Sequence, residues 1–453
     1  KMNLTAKVLI AMLLGISVGL IINVLNVEVF DNSLLAEGAV LNEYVINGFF
    51  HIVGKMFVNA LKMLVVPLVL FSLICGVCGI GDIKLLGRIG SKCFVLYLFT
   101  TAVAIASAIG IAATIGIGEG MNATSDTQFT GKDAPPLSDV LIDIIPSNPI
   151  QAMASGEMLS IIFFAILAGI SILMVGKKAR TLVETIELMN EVMMKMVGLI
   201  MSFAPYAVFC LLAKAMANLG FDLFLNLVGY VFVLIGVLLL HMLVTLQAVL
   251  AFLGRLNPLV FLAKMRNVQV FAFSTSSSNA TIPVTLRTVT ERLGVNNSVA
   301  SFSVPFGATI NMDGTAIMQG VATVFIANMY NIDLGMSGYL MVILMSVLAS
   351  IGTAGVPGVG LIMLSMVFAQ VGLPLEGIGL ILGVDRLLDM VRTAVNVTGD
   401  AVVSIVVAKS EGKLDESVFN DSSAGMFDKK ETELSLEGGK VVAETASSTH
   451  DRE

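Results

Sequence analysis

Between Gly377 and Lys409 an apolar run is interrupted by Asp385, Asp389, Arg392, Thr393, Asn396 and Asp400. At about 100° per residue of α-helix, these six fall in one stripe roughly 100° wide, so a single face carries all the polar chemistry. In lipid, ionised side chains are costly to bury, and they face a bundle interior or wet cavity where they mark a path for ions or substrate. Arg392 offers a planar fork that pairs bidentately with a carboxylate. Asp389, one turn away, accepts hydrogen bonds from an ammonium group. Together they suit a zwitterion with an extra carboxylate, which is an acidic amino acid. The competing reading is a self-contained network in which Arg392 only neutralises Asp389 or Asp385.

Other polar residues lie where apolar segments break. The uncharged run 267–286 contains Ser274-Thr275-Ser276-Ser277-Ser278-Asn279-Ala280-Thr281 and then Pro283. Irregular backbone is not tolerated against lipid, but is tolerated when buried in protein or lining a cavity. With Arg266 before it and Arg287 and Arg292 after it, this run reads as a hairpin that enters and leaves on the cytoplasmic side. The uncharged stretch 334–375 breaks likewise at Gly352-Thr353-Ala354-Gly355-Val356-Pro357-Gly358-Val359-Gly360, and reads as a second hairpin, entered from outside. Between them a span is interrupted at Asn311-Met312-Asp313-Gly314-Thr315. Paired broken segments point to inverted repeats, here 257–330 and 335–409, with a binding site at the midplane. The plainer reading is two kinked helices with no site. A second ligand carboxylate would find N–H groups and hydroxyls at Ser276-Ser277-Ser278. Asp313, Asp400, Asn311, Asn396 and carbonyls freed at the breaks are hard oxygen donors that suit Na⁺ or H⁺.

Composition supplies the elements that position these groups. The chain has 453 residues, 56% of them hydrophobic and 13% charged, against about a quarter charged in soluble proteins. Uncharged segments of at least 18 residues occur at 8–27, 63–81, 93–118, 158–176, 196–213, 223–254, 267–286, 293–312, 314–332 and 334–375. Roughly 20 apolar residues cross a bilayer as a helix, so an all-α polytopic membrane protein follows, and an alternating β-barrel does not. Basic loops mark the cytoplasmic side. Lys1 and Lys7 precede the first span; 82–92, 177–195 and 255–266 are basic; 28–50 and 119–140 are acidic; 214–222 lies outside. The expected topology is eight transmembrane helices plus two re-entrant hairpins, both termini cytoplasmic, in the plasma membrane (the inner membrane of a Gram-negative cell). The run 8–27 has span length and no small-residue cleavage pattern, so no cleavable signal peptide is expected. Residues 410–453, with 11 acidic and 5 basic side chains, read as a disordered cytoplasmic tail.

Enzymatic and metal chemistry find little support. Cys75, Cys78, Cys93 and Cys210 fall in or beside apolar segments and read as buried thiols. His51, His241 and His450 are far apart and make no metal cluster. A serine of 276–278 would need a positioned base to act as a hydrolase nucleophile, and neither His51 nor His241 has a reason to lie near it. A channel has little need for Asp389 and Arg392 one turn apart. No organic cofactor and no nucleic-acid partner are expected.

The four motifs, Ser276–Pro283, Asn311–Thr315, Gly352–Gly358 and Asp389–Thr393 with Asn396–Asp400, occur in an order that resembles the dicarboxylate/amino acid:cation symporter family. The resemblance spans roughly 5–409. It implies a homotrimer working by an elevator mechanism, with scaffold spans in 1–92 and 141–218. The moving transport domain would be span 3 (93–118) together with 223–409. It implies an amino-acid site at Ser276, Ser277, Ser278, Thr315, Val356, Gly360, Asp389, Arg392, Thr393 and Asn396. Asp389 would hold the amino group and Arg392 the side-chain carboxylate; Asn396 and the first-hairpin tip would hold the α-carboxylate. Sodium sites carry over to Gly307, Asn311, Asn396 and Asp400; to Thr309, Ser350, Ile351 and Thr353; and to Tyr97, Thr100, Thr101, Asn311 and Asp313. Two departures stand out. Archaeal members have arginine where Ser276 stands, and animal members have one at Met390, so the partner of Asp385 is open. Gln319 replaces the glutamate that animal members use for proton and potassium coupling. The expected function is Na⁺-coupled import of aspartate or glutamate. Alternatives within the family are proton coupling, or a C4-dicarboxylate, neutral amino acid or cystine as substrate.

Overall fold

The computed structural model describes residues 4–78, 84, 86–123, 137–352, 359–374 and 376–425. Among these residues the chain is helical, with one isolated β-bridge between Val295 and Leu414. The first half comprises α1 (Leu4–Val24), α2 (His51–Cys78), α3 (Ser91–Ile115), two short helical turns, α4 (Met158–Val175), α5 (Arg180–Met201), α6 (Ala204–Leu240) and α7 (Leu246–Leu253). The second half comprises α8 (Pro258–Thr275), α9 (Ser278–Arg287), α10 (Asn297–Ile310), α11 (Asp313–Met329), α12 (Gly335–Gly352), α13 (Val359–Val371), α14 (Glu376–Ser410) and α15 (Glu416–Asn420). Among the described residues, four stretches are long and apolar enough to cross a membrane: Leu9–Val29, Gly87–Ile115, Pro205–Leu253 and Leu387–Ser410.

Burial sorts these helices into perimeter and core. In the first stretch 22% of residues are buried, but in the last 89% are, although the last carries the polar stripe. The least apolar of the four stretches is thus the most enclosed, as the cost of exposing ionised groups to lipid requires. Helix α11 is buried from Asp313 to Ala327, packed against α3 and α14. On the perimeter α1 lies along α6, where Gly15 and Gly19 let the backbones touch. A Cβ on Gly19 would stand 2.7 Å from the Ala213 carbonyl. Small residues four apart are how membrane helices reach such contact. Gly19→Leu is therefore expected to lower the thermal denaturation midpoint of the purified protein by several degrees, through overpacking of about 1–3 kcal/mol.

Three stretches differ from expectation. The basic loop 177–195 is mostly the amphipathic helix α5, strong in helix formers and braced by an Arg180–Glu184 ion pair at 3.1 Å. The expected loop 214–222 is shortened to a break at Gly220, whose φ of 69° favours glycine and where two helices meet within the stretch labelled α6.

The third is the start of the acidic tail, which is ordered. Residues 411–425 fold back so that Asn296 N–H donates to the Lys413 carbonyl at 2.9 Å and Asp415 N–H to Gly294 at 2.8 Å. Buried Lys264 donates to the carbonyls of Arg292, Val418 and Phe419 at 2.6–2.9 Å, and Phe419 is fully buried. A lysine of α8 and the last turn before α10 are thereby tied to the chain beyond α14. Hydrogen bonds from Lys92 to Glu411, from Ser417 to Asp415 and from Ser423 to Asp421 hold these three carboxyls below their usual range. Acids whose folded pKa is depressed stabilise above the unfolded value, and that stabilisation is lost as pH falls through the folded one. Protection of the amides in 411–425 against hydrogen exchange, taken relative to an unfolded chain at the same pH, should accordingly be high at neutral pH and fall below about pH 4. Lys264→Met should produce the same loosening at neutral pH.

Candidate binding and ion sites

Two of the three breaks expected within apolar segments, at Ser276 and at Asn311-Met312, lie among the described residues, and the third, at 353–358, lies outside them. Helix α8 ends at Thr275 and α9 starts at Ser278, with Ser276 between them in the left-handed region at φ 51°. Ser276, Ser277 and Ser278 are all buried, and the Ser276 hydroxyl has no partner among the described residues. Between α10 and α11 the chain unwinds at Asn311-Met312. Ser350 of α12 accepts from Met312 N–H at 3.0 Å and donates to the Ile310 carbonyl at 2.8 Å. Asn396 of α14 accepts from Gly314 N–H at 2.7 Å. Side chains from two other helices thus satisfy backbone groups that lose their helical partners. Gly314 makes the approach possible, because a Cβ there would sit 2.6 Å from the Arg392 carbonyl.

The first cluster centres on Arg392, which is fully buried. Its Nη1 donates to Asp385 at 2.5 Å and its Nη2 to Asp389 at 3.2 Å, while Nε has no partner among the described residues. Asp385, whose partner was open, therefore shares the guanidinium. A Cβ on Gly360 of α13 would lie 3.3 Å from Nη2 and 3.1 Å from Thr315 Cγ2, so α11, α13 and α14 converge here. The Thr393 hydroxyl donates to the Asp389 carbonyl at 2.8 Å. One member was not anticipated: Tyr230 of α6 is fully buried, its hydroxyl without a partner among the described residues and within electrostatic reach of Asp385 and Arg392.

The second cluster surrounds Asp313. Its Oδ1 accepts from Thr101 at 2.7 Å and from Thr100 at 3.4 Å; both hydroxyls also reach the Tyr97 carbonyl, at 2.8 and 3.1 Å. Its Oδ2 accepts from His241 Nε2 at 2.8 Å. The sequence reading separated His241 from the serines and from a metal cluster. In the structure this histidine reaches an expected ion ligand.

In the third cluster Asn311 Nδ2 donates to Asp400 Oδ1 at 3.0 Å. The Tyr97 hydroxyl donates to the Ser303 carbonyl at 2.7 Å. Gly307 leaves a cradle, in which a Cβ would stand 2.5 Å from both Asp400 Oδ1 and Tyr97 Oη. Oxygen-rich surroundings of this kind fit a small hard cation. Of the remaining expected residues, Val356 and Thr353 lie outside the described residues, as do the side chains of Thr309 and Ile351.

The chain has clear relatives. The sodium:dicarboxylate symporter family matches residues 4–410. The proton/glutamate-aspartate symporter of Escherichia coli is 33% identical over 444 residues, covering 95% of this chain and 98% of that protein. The proton/sodium-glutamate symport protein of Bacillus caldotenax is 31% identical over 92% of this chain and 96% of its own length. The C4-dicarboxylate transport protein of Bacillus subtilis is 29% identical over 94% and 97%. With a family match over nearly its whole length, the chain belongs to the sodium:dicarboxylate symporter family, whose members are membrane transporters rather than enzymes.

Proposed function

We propose that this protein imports an acidic amino acid, aspartate or glutamate, together with Na⁺, as a homotrimer working by an elevator mechanism. The observation that carries the reading is the buried cluster in which Arg392 is shared between Asp385 and Asp389. An arriving side-chain carboxylate takes the partnerless Nε–H and exchanges with Asp389 at Nη2, while the substrate ammonium group takes Asp389. Each charge released in the exchange finds an opposite one. The α-carboxylate is received by Asn396 and the serines at 276–278. A C4-dicarboxylate has no ammonium group and would leave Asp389 facing a second carboxylate. That disfavours the substrate class named for the Bacillus subtilis relative.

Cation coupling follows from charge. Asp313, Asp385, Asp389 and Asp400 are all buried, but Arg392 pairs only with Asp385 and Asp389, while Asp313 meets His241 and Asp400 meets Asn311; adding an anionic substrate without cations increases the excess of buried acids. Na⁺ at Asp313 would let Thr100 and Thr101 turn their protons to the Tyr97 carbonyl and offer oxygen lone pairs instead. A second ion would take the cradle of Gly307, Asn311 and Asp400, with a third near Ser350. The transport domain would comprise residues 93–118 and 223–409, moving against scaffold spans in 1–92 and 141–218.

Uptake of radiolabelled L-aspartate into proteoliposomes, under an inward Na⁺ gradient or an inward H⁺ gradient at matched voltage, tests the reading. Na⁺-dependent uptake with competition by glutamate supports it. Uptake driven by H⁺ alone, as the name of the Escherichia coli relative describes for that protein, would overturn the sodium assignment. Uptake of succinate or serine in place of aspartate would overturn the substrate.

A further inference from the structure

His241 stands outside every role described so far, and two independent features single it out. It lies where α6 gives way to a wider, π-type turn over His241–Thr245 before α7 begins. Such widened turns shift the register of a helix and occur often at functional sites. Its ring is 2% exposed, with Nε2 on Asp313 Oδ2 at 2.8 Å and Nδ1 without a partner among the described residues. A lone buried imidazole that spends one nitrogen on an expected ion ligand and leaves the other unpaired has no evident packing purpose.

We propose that His241 is a positioning residue of the cation site, which fixes Asp313 as a one-oxygen ligand. This rests on the assignment of Asp313 to a cation site in the proposed function. A carboxylate acceptor requires a proton on Nε2, so the imidazole donates and Oδ2 is occupied. Only Oδ1 remains to face Thr100 and Thr101. Rotation of the carboxylate would otherwise present either oxygen, or both, to the ion. Gly399 lies beside the same carboxylate, where a Cβ would stand 3.5 Å from Oδ2 and 2.7 Å from Asn311 Nδ2, so no side chain from α14 takes the place of the imidazole. The ligands a metal sees are aligned by partners behind them, and loss of such a partner commonly weakens binding ten- to a hundredfold.

The test uses the purified full chain in detergent, titrated with NaCl against a KCl control at constant ionic strength. The first readout is Na⁺-dependent thermal stabilisation without amino acid, and the second is aspartate affinity by calorimetry at saturating Na⁺. Wild type is compared with His241→Leu, which removes the donor, and His241→Gln, whose amide nitrogen can reach the same place. The expected result is a half-saturating Na⁺ concentration raised at least about tenfold in His241→Leu, or about 1.4 kcal/mol, and less in His241→Gln. Aspartate affinity at saturating Na⁺ should be unchanged in both. A wild-type protein that responds to Na⁺, with both variants matching it, overturns the assignment of His241 alone. A wild-type protein indifferent to Na⁺ overturns the sodium reading, and this proposal with it. Should His241→Leu not fold, His241→Gln decides: a wild-type Na⁺ titration with altered aspartate affinity would overturn the proposal.

Discussion

Arg392→Cys is expected to reduce aspartate uptake at least about 100-fold, equivalent to roughly 2.7 kcal/mol or more. The guanidinium is the one buried cation among Asp385 and Asp389. Removing it takes away the partner of the substrate carboxylate and leaves two buried acids uncompensated, a situation that costs about 3–5 kcal/mol where it has been measured. Loss of uptake alone would therefore confuse binding with folding. The double variant Asp385→Asn, Arg392→Cys separates them, because it removes one of the orphaned charges together with the cation. Its folded yield by size-exclusion chromatography should recover while aspartate uptake stays absent, and small neutral amino acids should begin to compete. Restored aspartate uptake in the double variant would remove Arg392 from the substrate site. Asp385→Asn alone should retain uptake, since Asp389 keeps the ammonium-binding role.

The second large effect is expected at the Gly307 cradle. Gly307→Ala places a methyl group 2.5 Å from Asp400 Oδ1 and Tyr97 Oη, closer than carbon and oxygen can approach, in the space a cation would occupy. Asp400→Asn keeps the volume and removes the charge. Both should raise the Na⁺ concentration needed for half-maximal aspartate uptake by tenfold or more, the first by exclusion and the second by loss of attraction. The comparison is informative because Asn311 Nδ2 donates to Asp400 Oδ1 in the native protein, and asparagine at 400 can still accept through its amide oxygen. Folding should therefore survive in Asp400→Asn. Wild-type Na⁺ titrations in both variants would show that no coupled ion sits at this cradle.

Much of this protein was legible before any fold was known, and the reason is one-dimensional. The polar stripe from Asp385 to Asp400 depends only on helical period, and the chain forms one helix there from Glu376 to Ser410. The breaks at Ser276 and at Asn311-Met312 depend on local polarity inside apolar runs, and both fall where expected. Burial of the stripe followed from the cost of ionised groups in lipid.

What could not be read from the sequence is which groups meet across long separations. Asp385 and Arg392 lie within one stripe, but their pairing depended on whether another chain segment supplied a cation, and none of the described residues at Ser276 or Met390 does. His241 and Asp313 are 72 residues apart; their contact depends on how α6 is rotated against α11, which hydrophobic periodicity does not report. Tyr230 joins the arginine cluster by the same helix rotation. The acidic tail looked unstructured because its composition is polar, yet Phe419 and the carbonyls of 418 and 419 find a pocket and a lysine built by α8 and the turn before α10. Period, polarity and charge are properties of a segment and were set by the sequence. Register between segments is set by packing, and only the tertiary structure decided it.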